Sequence, residues 1–322
     1  MTQTFQGNIS KDIITGIIIS SLIFILSIYM PLIGFFFSLL VPLPIFFYRS
    51  KLGRVKGAIV LLVTIFLIIL ILGSISIETL FFVELMLLGF VLSELIEFNL
   101  SIEKIILYAC GIVLAAGFIC LLLYSKSSHT DIESMVSEYV SEYLKLVMEL
   151  YQNMGMQEEN IQIISDSLAS IRYVIVRILP AFAVVSSFFI AWSCLLLAKP
   201  VFKVKNIYYP DFGLLNLWKA PEFLVWYVIG CGFMLFLPSS GFKLFGLNGL
   251  IVLMSVYFFQ GIAIVSFFFE RKQFPFALRF ILYSLIAFQQ ILLIFIIMLG
   301  FFDIWLNLRK IKPPKTGSHQ SS

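Results

Sequence analysis

The chain has 322 residues, 61% hydrophobic and 12% charged, with a net charge of +4. A soluble domain runs nearer half apolar and a quarter charged, so lipid is the solvent for most of this surface. The small positive excess belongs to basic loops and a basic tail and supplies no nucleic-acid-binding face.

The hydrophobic excess is gathered into runs of about 17–25 residues, the length that crosses a bilayer core as a helix. Alternating ten-residue segments, the mark of an outer-membrane barrel, are absent. The leader "MTQTFQGNISK" precedes a run, Ile13–Met30, that is longer than a signal core and has no small-residue cleavage site after it. It reads as a first span. Eight further apolar segments follow, at about Pro31–Phe47, Gly57–Leu72, Ile77–Ile96, Ile105–Tyr124, Val174–Ala198, Phe223–Pro238, Leu247–Phe268 and Phe276–Leu306. Only Pro31 separates the first two, which predicts a tight helical hairpin or one kinked helix.

The expected fold is therefore all-α: a polytopic helical membrane protein of eight or nine transmembrane helices with a small extramembrane helical insert. Residues 1–124 and 174–308 hold the spans, 125–173 the insert, and 309–322 a basic, polar tail expected to be disordered.

Basic residues orient the spans. "RSKLGRVK" (Arg49, Lys51, Arg54, Lys56) and "KPVFKVK" (Lys199, Lys203, Lys205) are four segments apart and belong on one side, the cytoplasmic one, with the N-terminus. The insert then lies outside. The basic tail (Arg309, Lys310, Lys312, Lys315) fits this only if one segment does not span. Pro31–Phe47 and the short Phe223–Pro238 are the candidates.

The insert is acidic and amphipathic. Val136, Val140, Tyr143, Val147, Leu150 and Met154 form one seam, and Ile161, Ile164, Leu168 and Ile171 a second, with Gly155 and Asn160 as the break. Two antiparallel helices would bury the seams against each other. The competing reading is a face for a partner or the membrane surface.

Polar groups inside the spans are the functional candidates, because a charge at that depth must be paired, neutralised or turned to a polar cavity. Glu84 lies well inside the fourth segment, with Arg177 and Arg279 as candidate partners, while Glu94 and Glu97 read as solvated edge residues. Gln260 and Gln289, the latter beside Gln290, need internal hydrogen-bond partners and with Glu84 are the candidate substrate-binding residues. Pro221 before Glu222 suits a helix start, with Trp218 and Trp226 bracketing it at the interface. In "LGFFDIWLNLRK", Asp303, Asn307 and Lys310 share a helical face. Trp305 and Arg309, four apart, are placed for cation–π contact, as an exiting helix should show. Asp303 is expected to bridge to a neighbouring helix.

Cys110, Cys120, Cys194 and Cys231 all lie in apolar runs without a CxxC pair. The two histidines, His129 and His319, join no cluster with metal-site spacing. No metal, cofactor or catalytic residue is expected. HExxH, Walker, GxSxG and dinucleotide motifs are missing, so the chain does not read as an enzyme.

"PLIGFFFSLLVPLPIFFYRSKLG", "PEFLVW", "YFFQGIAIVSFF" and "LGFFDIWLNLRK" occur in this order. Together, over roughly residues 11–312, they resemble the YybS-like family of bacterial membrane proteins, a domain of unknown function. That family is distantly similar to S components of energy-coupling-factor transporters, which bind vitamins and ride on an ATPase module, and to the cell-shape protein MreD. The resemblance implies a multi-pass protein of the bacterial cytoplasmic membrane. Its leading function is solute binding or transport, with an ATPase coupling module as partner. The alternative is a membrane scaffold for envelope, division or sporulation machinery, docking envelope proteins through residues 131–170.

Overall fold

The computed structural model describes residues 9–30, 34–73, 76–155 and 157–310. Pro31, Lys312, Lys315 and His319, and the polar tail from residue 311 on, lie outside them. The fold is all-helical, at 85% helix, with no strand among the described residues. It divides into two units, Met1–Asp211 and Phe212–Ser322, a boundary inside what the sequence reads as one group of C-terminal spans.

The first unit opens with α1 (Ile9–Tyr29), α2 (Gly34–Leu40) and α3 (Pro42–Leu52). A Cβ on Gly34 would lie 2.3 Å from the Ser27 carbonyl oxygen, so only glycine lets α2 turn back so closely. At the other end, Lys51 pairs with Asp12 at 2.7 Å. The second apolar segment therefore returns along α1 as two helices. Pro42 divides them, its missing N–H and fixed φ suiting the first turn of a helix. Then come α4 (Arg54–Leu72), α5 (Ile77–Leu95), α6 (Ile102–Ser128), α7 (Ile132–Asn153) and α8 (Glu158–Val204). Ser76 starts α5 with a capping box: it accepts the Thr79 N–H at 3.3 Å while the Thr79 hydroxyl accepts its own. One face of α4, at Leu62, Phe66 and Leu70, is more than 60% exposed. Spaced four apart, these residues form an apolar stripe suited only to lipid.

Arg49 at the end of α3 is buried. It donates to Glu94 Oε1 at 2.8 Å and the Ser93 carbonyl at 2.9 Å, and pairs with Glu97. Arg54 clamps Glu94 from the other side, at 2.9 Å from Nε to Oε2. The expectation of solvation is corrected for Glu94, whose side chain is 15% exposed, and holds for Glu97, which is 60% exposed while paired with Arg49: α3 and α5 meet at this end, where the buried guanidinium needs a carboxylate partner. Glu94→Ala should therefore cost about 1.5–3 kcal/mol, seen as a lowered melting temperature in detergent. Arg54→Ala, on an exposed side chain, should change it far less; equal losses would refute the ranking. Phe202 of α8 packs on Phe46 and Phe47, and the Tyr208 hydroxyl bonds Asn99. Both basic segments of this unit thus lie at one end, as the four intervening candidate spans require.

The insert is a hairpin of α7 and the start of α8, and α8 continues without interruption through the sixth apolar segment. Its 47 residues extend about 70 Å at 1.5 Å per residue, more than twice a bilayer core. The second expected seam, Ile161, Ile164, Leu168 and Ile171, is half-buried. The first holds at its start, where Val136 is half-buried and Val140 buried, and is corrected beyond it. The inward row on α7 continues through Leu144, Met148 and Tyr151, of which Met148 is buried and the others half-buried, whereas Tyr143, Val147, Leu150 and Met154 are exposed. α7 carries two apolar stripes, and the register set by Arg172 donating to Ser141 Oγ at 3.2 Å selects the other one. Burial raises the Tyr139 phenol above its ordinary pKa, and the neighbouring Tyr143 and Glu78 push it the same way.

The second unit holds α9 (Leu224–Met234), α10 (Ser240–Arg271), α11 (Phe276–Phe288) and α12 (Gln290–Leu306). Eight or nine spans are not reached by length and composition. Among the described residues six helices are long and apolar enough, or seven if the bent pair α11–α12 is one span. The reasons are local. Pro42 splits the second segment. α9, with 11 residues, rises only about 16 Å. The last segment bends by 101° at Gln289.

Candidate functional site

Small residues build the polar centre of the second unit. A Cβ on Gly261 would lie 2.1 Å from the Ile296 carbonyl oxygen, and one on Gly300 2.0 Å from that of Tyr257. α10 and α12 therefore touch backbone to backbone, as small residues permit between membrane helices. That approach carries Gln260, beside Gly261, to Asp303, one turn beyond Gly300: Gln260 Nε2 donates to Asp303 Oδ2 at 3.3 Å.

The end of α12 completes the cluster. Asn307 takes a left-handed conformation (φ 41°) and stops the helix. The chain folds back, so that Asp303 Oδ1 accepts the Leu308 N–H at 2.8 Å and Oδ2 accepts Arg309 Nη2 at 2.9 Å. Arg309 Nη1 reaches the carbonyls of Asn216 (2.8 Å) and Trp218 (2.9 Å), and Gln260 Oε1 accepts the Ala220 N–H at 3.1 Å. Asp303, Gln260 and Arg309 are 0%, 1% and 3% exposed. Two charges taken out of water hold only if geometry and extra hydrogen bonds replace hydration, and the loop at 216–220 supplies those bonds. Among the described residues Arg309 Nε, Asn216 Oδ1 and the Tyr257 hydroxyl are buried without a hydrogen-bond partner. The region thus has polar capacity that the described protein groups do not satisfy.

This arrangement revises the helix-exit reading. Asp303, Asn307 and Lys310 do not continue one helical face, because the helix ends before Asn307. Arg309 leaves the register that would stack it on Trp305; Trp305 stays exposed and packs on Phe301 at 5.3 Å. Asp303 finds its cation six residues ahead in its own segment, while the neighbouring helix contributes Gln260. Arg309 belongs to the buried cluster and not to a polar tail. The Pro221 carbonyl accepts the Leu224 N–H at 3.1 Å, opening the turn into α9. Trp226 is exposed, whereas Trp218 packs against the core cluster of Ala220, Val225 and Tyr257.

Gln289 is not part of the cluster. It caps α12 at the bend, exposed, at the far end from Asp303 and about 20 Å along the helix. Glu84 lies in the first unit, half-buried on α5. A Cβ on Gly117 of α6 would sit 3.1 Å from its carboxyl carbon. Among the described residues no hydrogen bond or ion pair holds it. Arg177 lies over the Tyr173 ring at 3.8 Å, and Arg279 bonds the Phe274 carbonyl at 2.8 Å in the second unit. The loop carbonyls of Asn216 and Trp218 carry no sequence signal. Gly261 and Gly300 do: each is a glycine near a polar residue in an apolar run.

A family model described as "Predicted membrane protein (DUF2232)" matches residues 18–304, and the chain belongs to that family. It matches no curated protein and no solved structure.

Proposed function

We propose that this member of the DUF2232 family is a non-catalytic docking component, holding a rigid acidic arm at the extracytoplasmic face of a bacterial cytoplasmic membrane for an envelope protein with a basic surface. The observation that carries this reading is α8, one helix from the tip of the arm through a span. A partner seated on the arm would be fixed relative to the bilayer. Glu133, Glu138, Glu142, Glu149 and Asp166 are exposed on the arm, and complementary charge steers association and selects partners. The two basic segments of the first unit, around Arg49–Lys56 and Lys199–Lys205, gather at the opposite end, which the positive-inside rule favours as cytoplasmic. The closed Gln260–Asp303–Arg309 cluster fits a brace for such a component.

The test is a photo-crosslinking residue placed at Asn153 in living cells. A discrete adduct is expected. It should be lost when Glu138, Glu142 and Glu149 become lysine, with membrane insertion unchanged. An adduct that survives the charge reversal would overturn the reading.

A solute-binding component, coupled to an ATPase module, is favoured by a different observation: Glu84, half-buried within a span and unpaired among the described residues. A carboxylate at that depth is costly unless it faces something polar. Mass spectrometry of co-purifying small molecules should then find a metabolite on the wild type that Glu84→Gln loses. Identical contents in the two proteins would count against this reading.

A further inference from the structure

Between residues 131 and 172 the arm has eight carboxylates and only two cations, Lys145 on α7 and Arg172 on α8. The fold brings those two together. They flank one cleft of about 220 Å³, with Ser141 on its polar side and Leu144, Leu168 and Ala169 as its apolar wall. Ser141 and Lys145 are four residues apart on α7, as Leu168 and Arg172 are on α8, so each pair shares a helical face. Neither cation is neutralised within the arm. Among the described residues neither forms an ion pair, although Glu142 and Glu149 lie one turn to either side of Lys145.

The hydrogen bonds decide what the cleft can accept. Arg172 Nη1 donates to Ser141 Oγ at 3.2 Å, and that hydroxyl donates in turn to the Ser137 carbonyl at 2.7 Å. Ser141 therefore orients the guanidinium and offers the cleft no donor of its own. What remains is N–H groups alone, from the Lys145 ammonium and the rest of the Arg172 fork. A ligand that meets them must bring acceptors and negative charge, and ammonium with guanidinium is a donor set suited to phosphate oxygens. Two landmarks set the depth. Arg172 stands two residues before the apolar segment Val174–Ala198. Tyr143, between Ser141 and Lys145, donates to Glu78 Oε1 at 3.2 Å in the first turn of α5, a candidate span. The cleft thus opens where the spans begin, at the level of lipid phosphates, and basic pockets at that level hold headgroups. The volume is below the roughly 300–1,000 Å³ of small-molecule pockets, enough for a headgroup, with the apolar wall left for glycerol and the first methylenes.

We infer that the cleft formed by Ser141, Lys145 and Arg172 is a binding site for a phosphate ester, and its depth favours the headgroup of an anionic glycerophospholipid as the source. The inference stands apart from the docking reading, since the site needs no protein partner. A soluble phosphate ester carries the same chemistry, and the experiment separates the two sources.

The experiment titrates the detergent-solubilised full chain with phosphatidylglycerol and, separately, with glycerol 3-phosphate, and reads the adducts by native mass spectrometry. One variant carries Lys145→Gln with Arg172→Gln. A second carries Lys203→Gln with Lys205→Gln, which removes the same charge at the opposite end of the first unit. All four side chains are exposed, so the packed core stays intact, and an unchanged melting temperature verifies each variant. Phosphatidylglycerol retention should fall several-fold in the first variant and stay near wild type in the second. Unchanged retention in the first variant would overturn the inference. So would equal losses in the two, because binding would then follow net charge and not the cleft. Dependence on Lys145 and Arg172 for phosphatidylglycerol alone identifies the lipid as the source; the same dependence for glycerol 3-phosphate identifies a soluble ester.

Discussion

Arg309→Ala should be the most destabilising single truncation in the second unit. It leaves the Asp303 carboxylate buried beside Gln260 with its cation gone, and it frees the carbonyls of Asn216 and Trp218. Breaking a buried pair by removing one partner typically costs about 3–5 kcal/mol. Thermal denaturation in detergent, followed by tryptophan emission, would read it, because the Trp218 carbonyl accepts from Arg309 and Trp218 packs against the core of Ala220, Val225 and Tyr257. The double variant Arg309→Ala with Asp303→Asn should recover much of the loss, since the amide carries no uncompensated charge. Asp303→Asn alone should cost less than Arg309→Ala. A melting temperature for Arg309→Ala close to wild type would mean that the cluster does not brace the unit.

Gly300→Ala should be the most damaging small change. In an ordinary helix the substitution gains up to about 1 kcal/mol. Here the added Cβ would meet the Tyr257 carbonyl oxygen at 2.0 Å and the Gly261 nitrogen at 2.8 Å, both backbone atoms. Nothing can rotate away, so α10 and α12 must separate and stretch the Gln260–Asp303 hydrogen bond. The expected loss exceeds the about 1–3 kcal/mol of ordinary overpacking. Gly230→Ala on α9 is the control, because nothing lies within 4 Å of its Cβ position. Opposite signs in the two melting temperatures are expected. Equal shifts would refute backbone contact between α10 and α12.

The two variants also separate charge from packing. Arg309→Ala should be repaired by neutralising Asp303, and Gly300→Ala should not.

The long apolar runs by themselves determined that the chain is helical and membrane-embedded, because backbone polar groups in lipid must be satisfied within each segment. They also marked the acidic insert as a helical pair and put the two basic segments of the first unit at one end. Local periodicity could not say which of α7's two apolar stripes is buried. Both satisfy helical spacing, and only the neighbouring α8 selects Val140, Leu144, Met148 and Tyr151. Span count was legible only in part: Pro31–Phe47 and Phe223–Pro238, the two segments singled out as candidates for not spanning, do form helices too short to cross, but an apolar run does not reveal that Gln289 bends the last one by 101°. The polar residues Gln260, Asp303 and Arg309 were legible as groups needing partners, since an unpaired amide or charge at depth is costly. Their partnership was not, because Gln260 and Asp303 lie 43 residues apart, joined by a glycine contact between helices. Arg309 reaches them only because Asn307 reverses the chain. Burial requirements can be read from each residue separately; which groups meet them depends on how close two backbones come, and tertiary packing alone decides that distance.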